Sequence, residues 1–236
     1  MSDPRFGRTR DAKPELKSVA GVSGVVHFNP NHDSDTGEFA PGPGGSGTSV
    51  ASHPMIATGP AMHHLDRAMP SPYRANPPDD DDPMSLFKNE SVGMYKGPMS
   101  SSINGSLRDG EAPDGTVRGI DRAMKGLPID VTVYRGSSAD EYDPIGARLI
   151  AKQPVVGGVL TDLGFTSTTM DRRLASEWAG GGRHIQYVIH VPKGTKGIWF
   201  GSDDSERELL LARGGRYQVA KVARQGRGFV VHLNRL

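Results

Sequence analysis

The chain contains no cysteine among its 236 residues. That absence excludes a disulfide framework and any thiolate nucleophile or ligand, and it fits a reducing cytoplasm. Long apolar runs are also missing: no stretch approaches the ~20 residues that a membrane-spanning helix needs. Neither sign of charge is in excess, since 28 Lys and Arg stand against 27 Asp and Glu. Bulk electrostatics therefore give no reason to expect nucleic acid or an anionic membrane as the main partner. The N-terminus, MSDPRFGRTRDAKPELK, is charged and has no apolar segment behind it, so it does not read as a secretory signal.

What is abundant is glycine (31) and proline (18), and both are unevenly placed. Residues 1–84 are polar and turn-rich, as in HFNPNHDSDTGEFAPGPGGSGTSVASHP, and close with the four-aspartate run of ANPPDDDDP. Such a segment buries too little apolar surface to offset its ordering entropy, which predicts a flexible tail and an acidic, Pro-bounded linker. Within it AMHHLDRAM, 61–69, has helical character but is too short to be stable alone. GPGGSG, 42–47, lacks the Gly-Lys-Ser/Thr ending, preceding strand and following helix of a phosphate loop. His63 and His64 have no cysteine or spaced carboxylates beside them, and no metal site is expected.

From Met84 the texture changes. Leu86, Phe87, Val92, Tyr95, Ile103 and Leu107 recur at broken helical spacing, and TVRGIDRAMKGL, 116–127, sets Val117, Ile120, Ala123, Met124 and Leu127 on one helical face. After Pro128 the pattern is that of strands: IDVTVYRG, GFTSTT, HIQYVIHVP, KGIWF, ERELLLA, RYQVAKVAR and GFVVHLNRL, with a short helix in MDRRLASEWAGGG. The expected fold is α+β, helices first and strands after, in a domain over 85–236.

Three strand-associated signals stand in order: Arg135 in VYRG, Ser167 in GFTSTT, and the pair Glu206 and Glu208 in SERELLL. Singly each has a bland reading, as a solvated arginine, ordinary β-propensity and a charged strand face. Together they resemble the Arg–Ser–Glu class of ADP-ribosyltransferases, found among bacterial toxins, phage proteins and vertebrate ectoenzymes. The resemblance runs from Met84 to the C-terminus. It includes an early helix ending in Ile103, Asn104, Leu107 and Arg108, and the strand–loop–strand of KGIWFGSDDSERELLLARGGRYQVAKV. Thr169 stands where the family has the last serine of its Ser-Thr-Ser strand.

The resemblance implies N-terminal helices packed on two mostly antiparallel sheets that form an NAD cleft. It implies NAD as substrate, no metal, and a protein acceptor, with arginine as the side chain modified. Glu208 would then stabilise the nicotinamide ribose as the glycosidic bond breaks, and Glu206 would direct the acceptor. Ser167 would position Glu208, Arg135 would bind phosphate or ribose, and Gly136 would let backbone approach the nicotinamide amide. Trp178 and Arg183 would grip nicotinamide and phosphate, although the glycine-rich interval between them departs from the family pattern; Trp178 could equally be a core residue of its helix. Arg108 and Asn104 complete the implied NAD site, with a helix-terminal arginine as the plain alternative for Arg108. Trp199 and Phe200, before the polar loop GSDDS, could face a protein substrate or lie in the core.

The chemistry makes sense without the name. Cleaving a nicotinamide–ribose bond develops positive charge that a carboxylate can stabilise. A pyrophosphate calls for arginine, and a second carboxylate can take a proton from an incoming nucleophile. Two other readings stand beside transfer: an NAD glycohydrolase, which needs Glu208 but not Glu206, and a virion structural protein with an idle transferase fold. The tail's polar segments resemble those of phage head-associated proteins. That suggests contact with phage head components and a setting in a virion or the bacterial host cytoplasm, with a secreted toxin as the rival.

Overall fold

The computed structural model describes residues 58–75, 83–138, 144–178 and 184–236. The tail up to residue 57 and the acidic linker around residues 76–82 lie outside the described residues. A first helix, α1 (Thr58–Ala68), does not stand alone. Ala61, Leu65 and Met69 recur every fourth residue and enter the main hydrophobic cluster beside Leu127, Val131 and Trp199. The short apolar stripe is stabilised by tertiary burial rather than propensity. Packing thus begins well before residue 85, where the sequence placed the start of the domain. Tyr73 continues the segment, bridging Phe87 in antiparallel pairing with ring centroids 4.9 Å apart.

A 3₁₀ turn (Pro83–Leu86) leads to α2 (Glu90–Met94), capped by the Asn89 side chain, which accepts from the Val92 amide. A wide turn over Tyr95–Met99 follows, kinked at Gly97. The residue before a proline disfavours helical geometry, and Gly97 precedes Pro98. The chain then resumes as α3 (Ser100–Arg108) and α4 (Gly115–Ala123), the latter capped by Asp114. Helices α2 and α4 approach closely at Gly119, where a Cβ would sit 2.1 Å from the Ser91 hydroxyl oxygen. Val117, Ile120 and Met124 face the core as the spacing predicts. The helix stops at Ala123, however, and Leu127 joins the other cluster, because Lys125–Gly126 pairs as β1 with the sheet.

The remaining elements are β2 (Val131–Ser138), α5 (Pro144–Ile150), β3 (Val159–Asp162), β4 (Thr166–Thr169), α6 (Arg172–Trp178), β5 (His184–Val191), β6 (Lys196–Trp199), β7 (Glu208–Leu211), β8 (Gly215–Gln225) and β9 (Gly228–Arg235). The strands form one ladder in the order β1-β6-β7-β4-β2-β5-β9-β8-β3, antiparallel except for β5 with β9. The two halves of this ladder meet at a narrow seam, since β2 and β4 share the single pair Tyr134↔Thr169. The two expected sheets are therefore two arms of one mixed sheet. Residues 137–164, which sequence periodicity left unassigned, supply α5 and the edge strand β3.

Strand β7 is buried on both faces. Leu209 and Leu211 enter the main cluster, while Leu210 joins the second one with Val92 of α2, Ile103 of α3, Ile120 of α4, and Phe87, Tyr95 and Phe200. Alternation then puts Glu208 on the helix-facing side with Leu210. Leu65→Ala should lower stability by about 2–5 kcal/mol, the usual cost of emptying a core position. Urea unfolding checks this: a shift within about 0.5 kcal/mol, as at a surface site, would detach α1 from the core.

Candidate active site

The site forms at the seam. Strand β4 pairs with β7 in the register Thr169↔Glu208 and Ser167↔Leu210, so Ser167 lies diagonally across from Glu208 on one face. The Ser167 hydroxyl donates to Glu208 Oε1 in a short hydrogen bond. Arg135 on β2 reaches across the junction, and its Nη1 donates to the Ser167 carbonyl at 2.8 Å. Arg135, Ser167 and Glu208 therefore converge. Gly136 follows Arg135 on the same strand, paired with Gln186.

Glu206 reaches the same spot by a different route from the one its spacing suggested. Strand β7 begins only at Glu208, and Arg207 is left-handed with φ 45°. A non-glycine residue there is strained unless its surroundings fix it. Three contacts do so: the Arg207 amide donates to the Asp204 carbonyl at 2.9 Å, its own carbonyl accepts from the Met170 amide at 3.0 Å, and its guanidinium pairs with Asp171 at 2.6 Å. The Glu206 carbonyl accepts from Thr169 Oγ1 at 2.7 Å. Thr169, the residue that departs from the family serine, thus holds the turn.

The two carboxylates meet on a residue that the sequence did not single out. Lys96 Nζ lies 2.5 Å from Glu206 Oε2, 2.8 Å from Glu208 Oε2 and 3.3 Å from Asp204 Oδ2, and 4.8 Å from the Phe200 ring centre. It stands just before the Gly97 kink. Tyr95, Lys96, Ser100, Ser167, Trp178, Glu206 and Glu208 line one open cleft. Trp178 is 42% exposed there, so it belongs to the cleft's lip and not to the core. Among the described residues no group of three or more His, Cys, Asp or Glu is arranged to hold a metal ion.

The model of one family, the ADP-ribosyltransferase exoenzymes, matches residues 83–228. The chain belongs to the ADP-ribosyltransferase exoenzyme family. Over 114 residues it is 31% identical to the NAD(+)--arginine ADP-ribosyltransferase EFV of Enterococcus faecalis, an alignment covering 44% of this chain and 21% of that protein. It is 27% identical to a putative NAD(+)--arginine ADP-ribosyltransferase, Mav, of Mycobacterium avium, over 90% of this chain and 26% of that protein. The chain thus spans about a fifth to a quarter of the length of these relatives. Its fold is that of the Clostridium limosum C3 exoenzyme (TM-score 0.50, 18% identity, 62% of this chain and 83% of that one). It is equally that of C3stau2 from S. aureus, solved with NAD (TM-score 0.50, 20% identity, 62% and 84%).

Within this cleft the electrostatics centre on Glu208, which is 4% exposed. Burial raises its pKa above the usual carboxylate range; the Lys96 charge and the hydrogen bonds from Lys96 and Ser167 oppose that rise without cancelling it. Burial would lower the Lys96 ammonium, but Glu208, Glu206 and Asp204 outweigh it and hold Lys96 above the ordinary lysine value. Lys96 is therefore charged at any working pH.

The other expected NAD residues separate. The Arg108 fork is engaged by Asp162, with Nε and Nη2 donating to Oδ1 at 2.9 Å and Oδ2 at 3.0 Å, so a phosphate there would have to compete with a carboxylate. Asn104 is buried, and its amide joins Tyr95 to the start of β4: Nδ2 donates to the Tyr95 hydroxyl at 2.7 Å and Oδ1 accepts from the Phe165 amide at 2.8 Å. In this state the side chain braces the cleft wall. Gly164 is matched to it, since a Cβ there would lie 2.8 Å from Asn104 Oδ1. Arg183 lies outside the described residues.

Trp199 and Phe200 are both buried, Trp199 with its Nε1 donating to Asp66 at 2.7 Å. The loop after them is less open than its composition suggests. Asp204 accepts from the Glu208 amide at 3.2 Å and from the Tyr73 hydroxyl at 3.2 Å, and Asp66 accepts from the Ser202 amide at 3.1 Å. Lys96, Asp204, Asp66 and Tyr73 were not legible as site residues, because their roles depend on contacts between segments up to 136 positions apart. Removing the Ser167 hydroxyl takes away a donor to ionised Glu208. Ser167→Ala should therefore raise the Glu208 pKa further, as read by carbon-13 NMR titration of that carboxyl; an unchanged or lower value contradicts the positioning role.

Proposed function

We propose that this chain is an NAD-dependent mono-ADP-ribosyltransferase that modifies arginine side chains of a protein acceptor. The observation that carries the reading is the buried, Ser167-bonded Glu208 facing a cleft that it shares with Glu206 and Trp178. Family membership supports the reaction class, and the names of the two curated relatives support arginine. In the reaction, the bond between nicotinamide nitrogen and ribose C1 breaks and the electron pair leaves with neutral nicotinamide. Glu208, ionised and fixed by Ser167, stabilises the oxocarbenium charge left on the ribose. A guanidine nitrogen of the acceptor forms the new bond to C1, and its proton passes to Glu206. Arginine is essentially always protonated in water, so a carboxylate at the point of attack is required, and Glu206 is the more exposed of the pair. Trp178 offers an aromatic surface for nicotinamide. Arg135 and Arg108 would suit a pyrophosphate, Arg108 after release from Asp162; Arg183 is proposed with them from the sequence alone. Gly136 admits the nicotinamide amide, and Asn104 acts by holding Tyr95 and β4.

Two substitutions test transfer against NAD hydrolysis. Glu208→Gln should lower nicotinamide release from NAD about 10²-fold or more, the scale of losing a group that stabilises transition-state charge. Glu206→Gln should keep nicotinamide release while ADP-ribosylation of agmatine, a small guanidine, collapses. Labelling that persists in Glu208→Gln refutes the assignment. Release and transfer that fall together in Glu206→Gln remove the acceptor role. The tail that suggested a virion lies outside the described residues.

A further inference from the structure

The reading above requires Glu206 to meet an incoming cation and Glu208 to meet the ribose. In the structure both functional oxygens are already occupied by the same ammonium. Lys96 Nζ has three protons and three carboxylates around it, at 2.5 Å (Glu206), 2.8 Å (Glu208) and 3.3 Å (Asp204), with the Phe200 ring beneath. No other cation among the described residues pairs with this carboxylate group. The lysine side chain is 16% exposed while that of Glu206 is 48% exposed, so the pair can be opened from solvent only on the Glu206 side.

Resting on the arginine-transferase reading, we propose that Lys96 is a specificity-determining residue whose ammonium stands in the place of the acceptor's guanidinium, so that only a nucleophile able to displace it from Glu206 is modified. A guanidinium is suited to the exchange. It brings its own positive charge, so Glu206 is never left without a counter-ion, and its planar fork makes two parallel hydrogen bonds where an ammonium makes one. Water, a hydroxyl or an amide brings no charge and would have to separate an ion pair to reach the same carboxylate. Lys96 therefore favours guanidine acceptors over neutral nucleophiles at Glu206.

The structure also supplies a place for the displaced ammonium. Asp204 is fixed by the Glu208 amide and the Tyr73 hydroxyl and does not depend on Lys96 for its position. Lys96 can let go of Glu206, and of Glu208 as the ribose arrives, and keep Asp204 and the Phe200 face. A small rotation of an unbranched side chain is all that this requires, and its backbone adjoins the Gly97 kink.

The test compares wild type with Lys96→Met, Lys96→Gln and Lys96→Arg, using NAD alone and NAD with agmatine. Lys96→Met should lower the KM for agmatine about tenfold, the scale of one charge-assisted hydrogen bond no longer competed for. Lys96→Arg, which puts a fork on Glu206 from within, should raise the KM for agmatine above wild type. Lys96→Gln keeps a polar end in the cleft and should follow Lys96→Met, which keeps the test valid if the methionine variant does not fold. A KM for agmatine unchanged or raised in both neutral variants overturns the proposal and leaves Lys96 as a support for Glu208. If the wild type uses no guanidine acceptor, the arginine reading fails on its own. The Lys96 inference falls with it, whereas agmatine use that is indifferent to Lys96→Met and Lys96→Gln overturns the Lys96 inference alone.

Discussion

An ionised carboxylate removed from water costs several kcal/mol unless partners replace its hydration, and Glu208 is such a group. Its two oxygens are satisfied separately, one by the Ser167 hydroxyl and one by the Lys96 ammonium, and its amide is held by Asp204. Much of the remaining architecture keeps those partners in place. The Leu209–Leu211 run is inaccessible on both faces and pins β7 between two hydrophobic clusters. Pairing with β4 then fixes Ser167 relative to Glu208. The seam with β2, a single residue pair wide, brings Arg135 to the Ser167 carbonyl. The cleft opens beside this arm of the sheet, lined by Ser167, Glu206 and Glu208 and by Tyr95 and Lys96 from the helical side.

The loop before β7 has the composition of an open linker and the contacts of a framed one. Asp66 from α1 and Tyr73 from the segment after it hold Ser202 and Asp204, and Arg207 is locked left-handed by Asp171, Asp204 and Met170. Helix α1 therefore does two things at once: Leu65 and its neighbours fill the core, while Asp66, one residue on, fixes the approach to the glutamates. Burial pushes the Tyr73 hydroxyl's pKa up, and the Asp204 charge beside it adds to that, so the phenol stays a donor to Asp204 throughout the ordinary pH range.

Strong local signals account for what was legible in the sequence. The β7 leucines, the His184–Val191 strand and the apolar face of the helix read over 116–127 declare themselves by their pattern. The ordered set Arg135, Ser167 and Glu208 was readable because each lies on a strand-like segment and the three together resemble one family's motif order. Three features were not readable, for distinct reasons. Burial of α1 is a tertiary gain that an eleven-residue helix cannot show in isolation. The left-handed Arg207 carries no glycine to betray it. The Lys96 cluster draws on residues over a hundred positions apart, joined only once the helices fold onto the β6–β7–β4 arm.

The spacing of the glutamates was legible and its cause was not. Two residues apart on a strand, they would be equivalent neighbours with similar exposure. Because β7 starts only at Glu208, the turn at Arg207 makes them unequal: one carboxylate is sealed against Ser167 while the other stands half in water. That inequality is what a two-carboxylate site needs, since charge stabilisation favours a desolvated group and acceptor exchange favours a reachable one. Lys96 couples the two. In the proposed reaction an ammonium bound to both glutamates yields Glu208 to the ribose and Glu206 to the acceptor while keeping Asp204. That exchange needs no moving part larger than a lysine side chain.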